Sequence, residues 1–179
     1  MKLEEKTLKE NCIYNGKILR VFNDEVECSD GHISKREYVD HHGGASILAV
    51  DDDENIYLVE QYRYAYRKVL KEIPAGKLEQ NEDPMVCAKR ELKEEVGVTC
   101  KEMQLLALIY PTPGYTNEPL YIYLAKGLEQ GEDCLDDGEL LKAYKIPFDE
   151  ALRQVESGEI KDGKTVVAIL KYALMRQCK

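Results

Sequence analysis

The sequence predicts an α/β fold in which helices cover a mixed β-sheet. Runs of alternating or continuous apolar residues fill the chain up to about residue 70. A helical pattern follows at 84–96, and two more occupy the C-terminal end, at 149–160 and 165–177. Strands and helices therefore mix without a regular βαβ repeat, which favours a sheet of mixed direction packed against helices.

The N-terminal segment, 1–42, is expected to form an antiparallel β-region next to the main domain, 43–179. Its clearest signal is the sequence SDGH at 29–32, which is typical of a hairpin turn. The main domain opens with two apolar segments, ASILAVD and NIYLVEQY, joined by an acidic turn. The predicted strands cover residues 17–28, 33–41, 45–51, 55–62, 103–110, 120–128 and 142–148.

The segment 84–96 carries the start and stop signals of an α-helix. Asp83 is suited to cap its first turn, Pro84 suits the first helical position, and Gly97 suits a left-handed C-cap. We expect an apolar stripe of this helix to face the core. The stripe consists of Met85, Ala88, Leu92 and Val96.

Three glutamates share one face of the same helix, because Glu91, Glu94 and Glu95 stand at positions i, i+3 and i+4. Like charges at this spacing repel each other, and the cost rises as water is removed. A divalent cation with oxygen ligands would turn that repulsion into binding. The alternative is a solvated acidic face, which Lys89 and Lys93 on the solvent side favour.

Composition, charge and cysteine usage limit the function classes. Of the 179 residues, 44% are hydrophobic and 33% are charged, as in an ordinary globular domain. The net charge of -9 argues against nonspecific nucleic-acid binding, which needs a basic surface. No apolar run reaches transmembrane length, and the charged N-terminus is unlike a signal peptide. The six cysteines form no CxxC pair, so we expect reduced thiols in a cytoplasmic protein without a membrane partner.

The residues around the three glutamates resemble the signature of the Nudix hydrolases. That signature, G-x5-E-x7-R-E-U-x-E-E-x-G-U with U aliphatic, is matched at every position from Gly76 to Val98. The resemblance implies a Nudix α/β/α sandwich that hydrolyses a nucleoside diphosphate linked to another group. It also implies a bound divalent metal. We expect this metal to be magnesium, with manganese as a possible replacement.

The same resemblance implies roles for the residues of this signature. Arg90 and Glu82 are expected to orient the catalytic helix and its loop, although a plain surface arginine is the alternative for Arg90. Glu94 is expected to be a metal ligand or to contact one. The implied metal ligands are the backbone carbonyl of Ala75 and the side chains of Glu91, Glu94 and Glu95.

Several stretches outside the signature resemble ADP-ribose pyrophosphatases. The segment EQYRYAYRKVLKEIPAGKLE leads into the signature as in that subgroup, and Pro113 stands sixteen residues after Gly97, where the subgroup has a proline. The loop YPTPGYTNE resembles its substrate loop. The resemblance implies that Arg63 contacts phosphates, since a guanidinium is a good bidentate phosphate ligand. The implied substrate-binding residues are Arg63, Lys77, Thr112, Gly114 and Glu118.

Two further groups of residues have competing interpretations. Tyr62, Tyr64 and Tyr66 alternate and offer a stacking surface for adenine, or they are half-buried strand residues. His41 and His42 invite a metal interpretation, but adjacent residues of a strand point to opposite faces. We therefore interpret this pair and the following glycines as a turn or bulge before the core strand.

The resemblance also implies a general base outside the helix and a second subunit. Glu139, in the acidic loop 132–141, takes the position of the subgroup's catalytic glutamate. Asp137 and Gly138 depart from the subgroup's pattern. Asp137 is therefore the next candidate for the base, followed by Glu94. The alternative for the whole loop is a solvated acidic segment without a catalytic role. In the subgroup the N-terminal strands pair across a two-fold axis and complete the partner's adenine site, which implies a homodimer.

These observations predict a magnesium-dependent enzyme that cleaves ADP-ribose to AMP and ribose 5-phosphate. One alternative is a Nudix hydrolase of another nucleoside diphosphate sugar. A second is a non-catalytic Nudix domain that binds a nucleotide as a sensor, which the complete set of signature glutamates disfavours.

Overall fold

A computed structural model describes residues 3–131 and 141–178, which form eleven strands and three helices. Eight strands precede the first helix, where the sequence predicts four, and the additional strands include 68–72 and 75–77. The helix predicted at 149–160 spans 148–156. The strands are β1 Lys6–Lys9, β2 Cys12–Asn15, β3 Arg20–Glu27, β4 Ile33–Asp40, β5 Gly44–Ala49, β6 Asn55–Arg63, β7 Lys68–Glu72, β8 Ala75–Lys77, β9 Val98–Ile109, β10 Leu120–Gln130 and β11 Leu141–Pro147. The helices are α1 Pro84–Val96, α2 Phe148–Glu156 and α3 Gly163–Gln177.

The N-terminal β-region is antiparallel, as predicted. Strand β3 pairs with β4 along its whole length, from Arg20 opposite Asp40 to Glu27 opposite Ile33. The short strands β1 and β2 both pair with β3, and neither was predicted. Their side chains are exposed throughout, so no apolar alternation marks them in the sequence.

The main domain contains two sheets with the strand orders β8-β5-β10-β9 and β11-β6-β7. The first sheet is mixed, because β5 and β10 run parallel to each other while β8 pairs antiparallel with β5 and β9 pairs antiparallel with β10. Strand β5 is buried along its whole length, and its side chains alternate between two hydrophobic clusters. Ile47 packs on the side of α1, and Leu48 packs on the side of α2 and α3. The predicted α/β/α layering is therefore confirmed.

Helix α1 has the predicted boundaries and caps. Asp83 accepts a hydrogen bond from the backbone N–H of Met85 at 2.9 Å. Gly97 adopts the left-handed conformation, with φ of 67°, and its N–H donates to the carbonyl of Lys93 at 3.0 Å. The buried residues of this helix are Cys87, Ala88, Glu91, Leu92, Glu95 and Val96. Two of the three clustered glutamates thus lie on the buried side of the helix.

Helix α3 begins two residues earlier than predicted, and Asp162 caps it by accepting from the N–H of Thr165 at 3.1 Å. Its buried face passes through Thr165 and Tyr172, so Leu170 and Leu174 stay 42% and 62% exposed. None of the helices in the described ranges is long and apolar enough to cross a membrane. The five cysteines within those ranges are free.

Candidate active site

The loop before α1 lies directly against the glutamates of that helix. Strand β8 pairs with β5, which places Gly76 opposite Ala45 and turns the loop towards α1. The backbone N–H of Ala75 donates to Glu95 at 2.9 Å. A Cβ atom on Gly76 would lie 1.7 Å from Oε1 of Glu91, so any other residue at 76 would displace this carboxylate. The glycine of the signature thus lets the loop lie directly against the Glu91 carboxylate.

Arg90 connects the acidic residues of the loop and the helix. Its guanidinium donates to Glu82 at 3.2 Å, to Glu91 at 2.7 Å and to Glu94 at 2.9 Å. Burial alone would lower the pKa of Arg90, but the three carboxylates outweigh it and raise this pKa. Glu82 in turn accepts from the backbone N–H of Glu79 at 2.9 Å. These are the contacts expected of a residue that orients the helix relative to its loop.

The donor atoms of this region suit a hard divalent cation. Glu91 and Glu95 are 8% and 4% exposed, and carboxylate and carbonyl oxygens are the ligands that such cations prefer. Within residues 3–131 and 141–178, no three Asp, Glu, His or Cys side chains are arranged as a coordination shell. Arg90 places a positive charge beside Glu91 and Glu94. The residue types on this face of α1 fit a divalent metal.

Most of the sequence-predicted residues face one cleft of about 440 Å³. Glu94 and Arg90 line an adjoining cleft of about 320 Å³, which shares Lys77 and Glu91 with the first. Thr112 and Gly114 belong to the same loop as Glu118 but line neither cleft. The predicted residues in the larger cleft are Arg63, Ala75, Lys77, Glu91, Glu95 and Glu118.

The predicted base, Glu139, and its alternative, Asp137, lie outside the described residues. The described chain resumes at Leu141, which pairs with Gln61 of β6. Because Gln61 lines the larger cleft, β11 begins beside the candidate active site. The assignment of the base therefore stays a prediction.

Arg63 is held by a residue that the sequence analysis did not select. Its Nε and Nη2 atoms each donate to Glu72 at 2.6 Å, and the Glu72 side chain is only 2% exposed. Lys164 contacts the same carboxylate and also lies 3.1 Å from Asp162. Burial alone would raise the pKa of Glu72, but Arg63 and Lys164 outweigh it and hold this pKa below its ordinary value of 4.5. Nothing local in the sequence marks these partners, since Lys164 stands 92 residues after Glu72.

His41 has a different environment from the one that the sequence analysis assumed. Strand β4 ends at Asp40, so the argument from strand alternation does not apply to His41 and His42. His41 lines the larger cleft, where its Nδ1 atom lies 3.3 Å from Glu118. The backbone N–H of Gly43 donates to the same nitrogen at 3.1 Å. His41 is therefore a neighbour of the predicted substrate-binding glutamate.

The three alternating tyrosines do not line the cleft. Tyr62 is 54% exposed at the end of β6, and Tyr64 and Tyr66 follow it in the turn and are 70% and 71% exposed. They are not the half-buried strand residues of the alternative interpretation. The guanidinium of Arg67 lies 3.5 Å from the ring centre of Tyr64. Their proposed role in adenine stacking stays a prediction.

Replacing Glu72 with glutamine is expected to lower the melting temperature near neutral pH, because the half-buried Arg63 and the largely buried Lys164 lose their shared counter-charge. The folded-state pKa of Glu72 is depressed, so its stabilising effect is full above the ordinary pKa of 4.5 and is lost as the pH falls through the lower folded value. The difference in melting temperature between wild type and Glu72→Gln should therefore shrink below that pH. The exposed Glu102 supplies the control variant, Glu102→Gln. A difference that stays constant with pH would contradict the assignment.

The comparison with protein families agrees with this geometry. A family model described as NUDIX domain matches residues 40–167. The chain belongs to the Nudix family. The matched residues contain β5 to β11, α1, α2 and the first turn of α3, and they include every residue that lines the larger cleft except Ile18. The enzyme class predicted from the signature, a Nudix pyrophosphohydrolase, is confirmed.

Two curated relatives of this Nudix chain match it over almost its whole length. An ADP-ribose pyrophosphatase of Bacillus subtilis is 40% identical over 181 residues, which cover 98% of each protein. A methanol dehydrogenase activator of Bacillus methanolicus is 40% identical over 178 residues, covering 98% of this chain and 96% of the relative. A solved structure described as an ADP compounds hydrolase superposes with a TM-score of 0.85 over 99% of this chain and 97% of that one. That structure is 19% identical, and it supports the fold.

Proposed function

We propose that this Nudix enzyme hydrolyses the diphosphate of ADP-ribose, adding water to give AMP and ribose 5-phosphate. The observation that carries the proposal is the composition of the larger cleft. Glu91 and Glu95 form an acidic wall suited to a cation, and Arg63 and Lys77 lie in the same cleft with charges suited to phosphate. The relationship to an ADP-ribose pyrophosphatase supports the choice of substrate.

Each group of residues has a separate task in this proposal. A bound Mg²⁺, or Mn²⁺ in its place, supplies charge neutralisation for the diphosphate and lowers the pKa of the attacking water. Arg63 and Lys77 hold phosphate oxygens, and Glu118 binds the terminal ribose, with Thr112 and Gly114 of the same loop near it. Arg90 keeps the glutamates of α1 and the loop around Ala75 in their mutual arrangement.

A substrate panel tests the proposal. Purified protein is assayed with Mg²⁺ against ADP-ribose, ADP-mannose, ADP-glucose, GDP-mannose and NADH, and the products are identified. We expect ADP-ribose to be turned over with the highest kcat/KM and to yield AMP and ribose 5-phosphate. Faster turnover of another compound would make this a hydrolase of a different nucleoside diphosphate sugar. Binding of ADP-ribose that raises the melting temperature without hydrolysis would favour a nucleotide sensor.

We also propose that the enzyme is a cytoplasmic homodimer with an isologous interface formed through the N-terminal β-region. This region exposes large apolar side chains, which suits a contact with a second copy. The exposed residues are Leu3, Leu8, Ile13, Tyr14, Ile18 and Ile33.

Light scattering at micromolar concentration is expected to give twice the mass of the 20.5 kDa chain. Ile13 is 58% exposed in β2, and Ile13→Asp should shift the protein towards the monomer by placing a charge in the apolar contact. Leu174 is 62% exposed on α3, far from this region in the chain, so Leu174→Asp is the matched control. A fully active wild-type monomer would rule out the proposed dimer.

A further inference from the structure

The buried carboxylate of Glu72 contacts two cations, Arg63 and Lys164. Arg63 alone satisfies both of its oxygens through two hydrogen bonds of 2.6 Å. Lys164 then adds a second cation to the same carboxylate, although its side chain is only 10% exposed. Desolvating an ammonium group is costly unless its charge is used. A structural counter-ion for Glu72 would therefore require only one of the two cations.

Asp162, the N-cap residue of α3, is the second carboxylate that Lys164 contacts. Its Oδ1 atom lies 3.1 Å from the Lys164 ammonium group, while its Oδ2 atom accepts from the N–H of Thr165 at 3.1 Å and from the Thr165 hydroxyl at 2.6 Å. The Thr165 hydroxyl oxygen in turn accepts from the buried N–H of Ile73 at 2.9 Å. The N-terminus of α3 is thus fixed to the end of β7, and Lys164 is fixed with it.

The two cations, Arg63 and Lys164, both line the larger cleft, which also contains the acidic wall. Arg63 and Lys164 line it together with Glu91 and Glu95. The bonds to Glu72 use the Nε–Nη2 edge of Arg63, so its Nη1 side is directed away from Glu72. Within the described residues, Lys164 contacts the carboxylates of Glu72 and Asp162, and an ammonium group has three donors. The pair is a preorganised arrangement for an anion, because binding would require little reordering.

We propose that Lys164 contacts a phosphate oxygen of the bound nucleoside diphosphate beside Arg63, and that Glu72 is the positioning residue that holds both cations. The assignment of a diphosphate ligand rests on the proposed function. Arg63 supplies a planar, directional donor pair and Lys164 supplies a point charge. Together they hold phosphate oxygens in the cleft that Glu91 and Glu95 of α1 also line.

The test compares Lys164→Met and Lys164→Arg with a matched control, Lys71→Met. Lys71 stands next to Glu72, but its ammonium group contacts Gln154 and Glu159 instead of the cleft. With ADP-ribose and Mg²⁺, we expect Lys164→Met to raise KM about 10- to 100-fold, the factor of one charge-assisted hydrogen bond. Lys164→Arg should recover most of this loss, and Lys71→Met should leave KM and kcat unchanged.

A binding measurement separates this inference from the proposed function. Titration calorimetry with ADP in the presence of EDTA reports on the cations without metal or turnover. We expect Lys164→Met to weaken ADP binding by a similar factor, and melting temperatures of all variants control for folding. If Lys164→Met matches Lys71→Met in both KM and ADP affinity, Lys164 is only structural and the inference is wrong. If wild type binds ADP more tightly than Lys164→Met but does not hydrolyse ADP-ribose, only the proposed function fails.

Glu72→Gln tests the positioning role. Without the shared carboxylate the two cations repel each other, and we expect weaker ADP binding even though Glu72 itself does not line the cleft. In the double variant with Lys164→Met, the effects on ADP affinity should be less than additive, because both changes act on the same contact. Full additivity would contradict the positioning role.

Discussion

Replacing Glu95 with glutamine is expected to lower kcat for ADP-ribose by about 10²- to 10³-fold, since a lost metal ligand removes several kcal/mol of transition-state stabilisation. The fold should survive, because glutamine keeps the shape of the side chain and an oxygen that accepts the hydrogen bond from Ala75. Without added metal the variant should melt at the same or a higher temperature than wild type, because repulsion among Glu91, Glu94 and Glu95 falls.

The measurement is steady-state turnover of ADP-ribose over a range of Mg²⁺ concentrations, with melting curves in EDTA. Glu102→Gln provides the matched control, since Glu102 is an exposed glutamate of β9 outside both clefts. Near-normal turnover of Glu95→Gln at saturating Mg²⁺ would show that Glu95 is not a ligand. A large drop in melting temperature would instead show that its contact with Ala75 is mainly structural.

Glu139→Gln is expected to lower kcat by about 10²- to 10⁴-fold, the usual contribution of a general base. Binding of ADP-ribose should change little, because the cations and the loop around Glu118 are untouched. Glu139 lies outside the described residues, but the chain resumes at Leu141 opposite Gln61, which lines the cleft.

The matched variant for this prediction is Asp137→Asn. A large loss in Asp137→Asn with almost none in Glu139→Gln would move the base by two residues. If neither change affects kcat, the base belongs to the signature, with Glu94 as the next candidate. Glu94 accepts a hydrogen bond from Arg90 at 2.9 Å, so Glu94→Gln also weakens the contact that holds the helix. The melting temperature of this variant would therefore be measured together with its kcat.

The sequence by itself determined helix α1 and the family of this protein. The caps at Asp83 and Gly97 and the spacing of Glu91, Glu94 and Glu95 involve residues within a few positions of each other. Such signals depend on backbone geometry that repeats every turn, so they can be read without knowledge of the rest of the chain. The match from Gly76 to Val98 is equally local, and it led to the enzyme class that the family comparison confirms.

The tertiary structure alone decided which residues meet in the cleft. Glu72 and Lys164 are 92 residues apart and share a contact only because the start of α3 is fixed to the end of β7 through Thr165 and Ile73. The exposed strands β1 and β2 exist through pairing with β3, and no apolar pattern marks them. The parallel pairing of β5 with β10 likewise joins segments on either side of α1. Such contacts depend on distant segments burying apolar surface together, so the sequence around each residue does not reveal them.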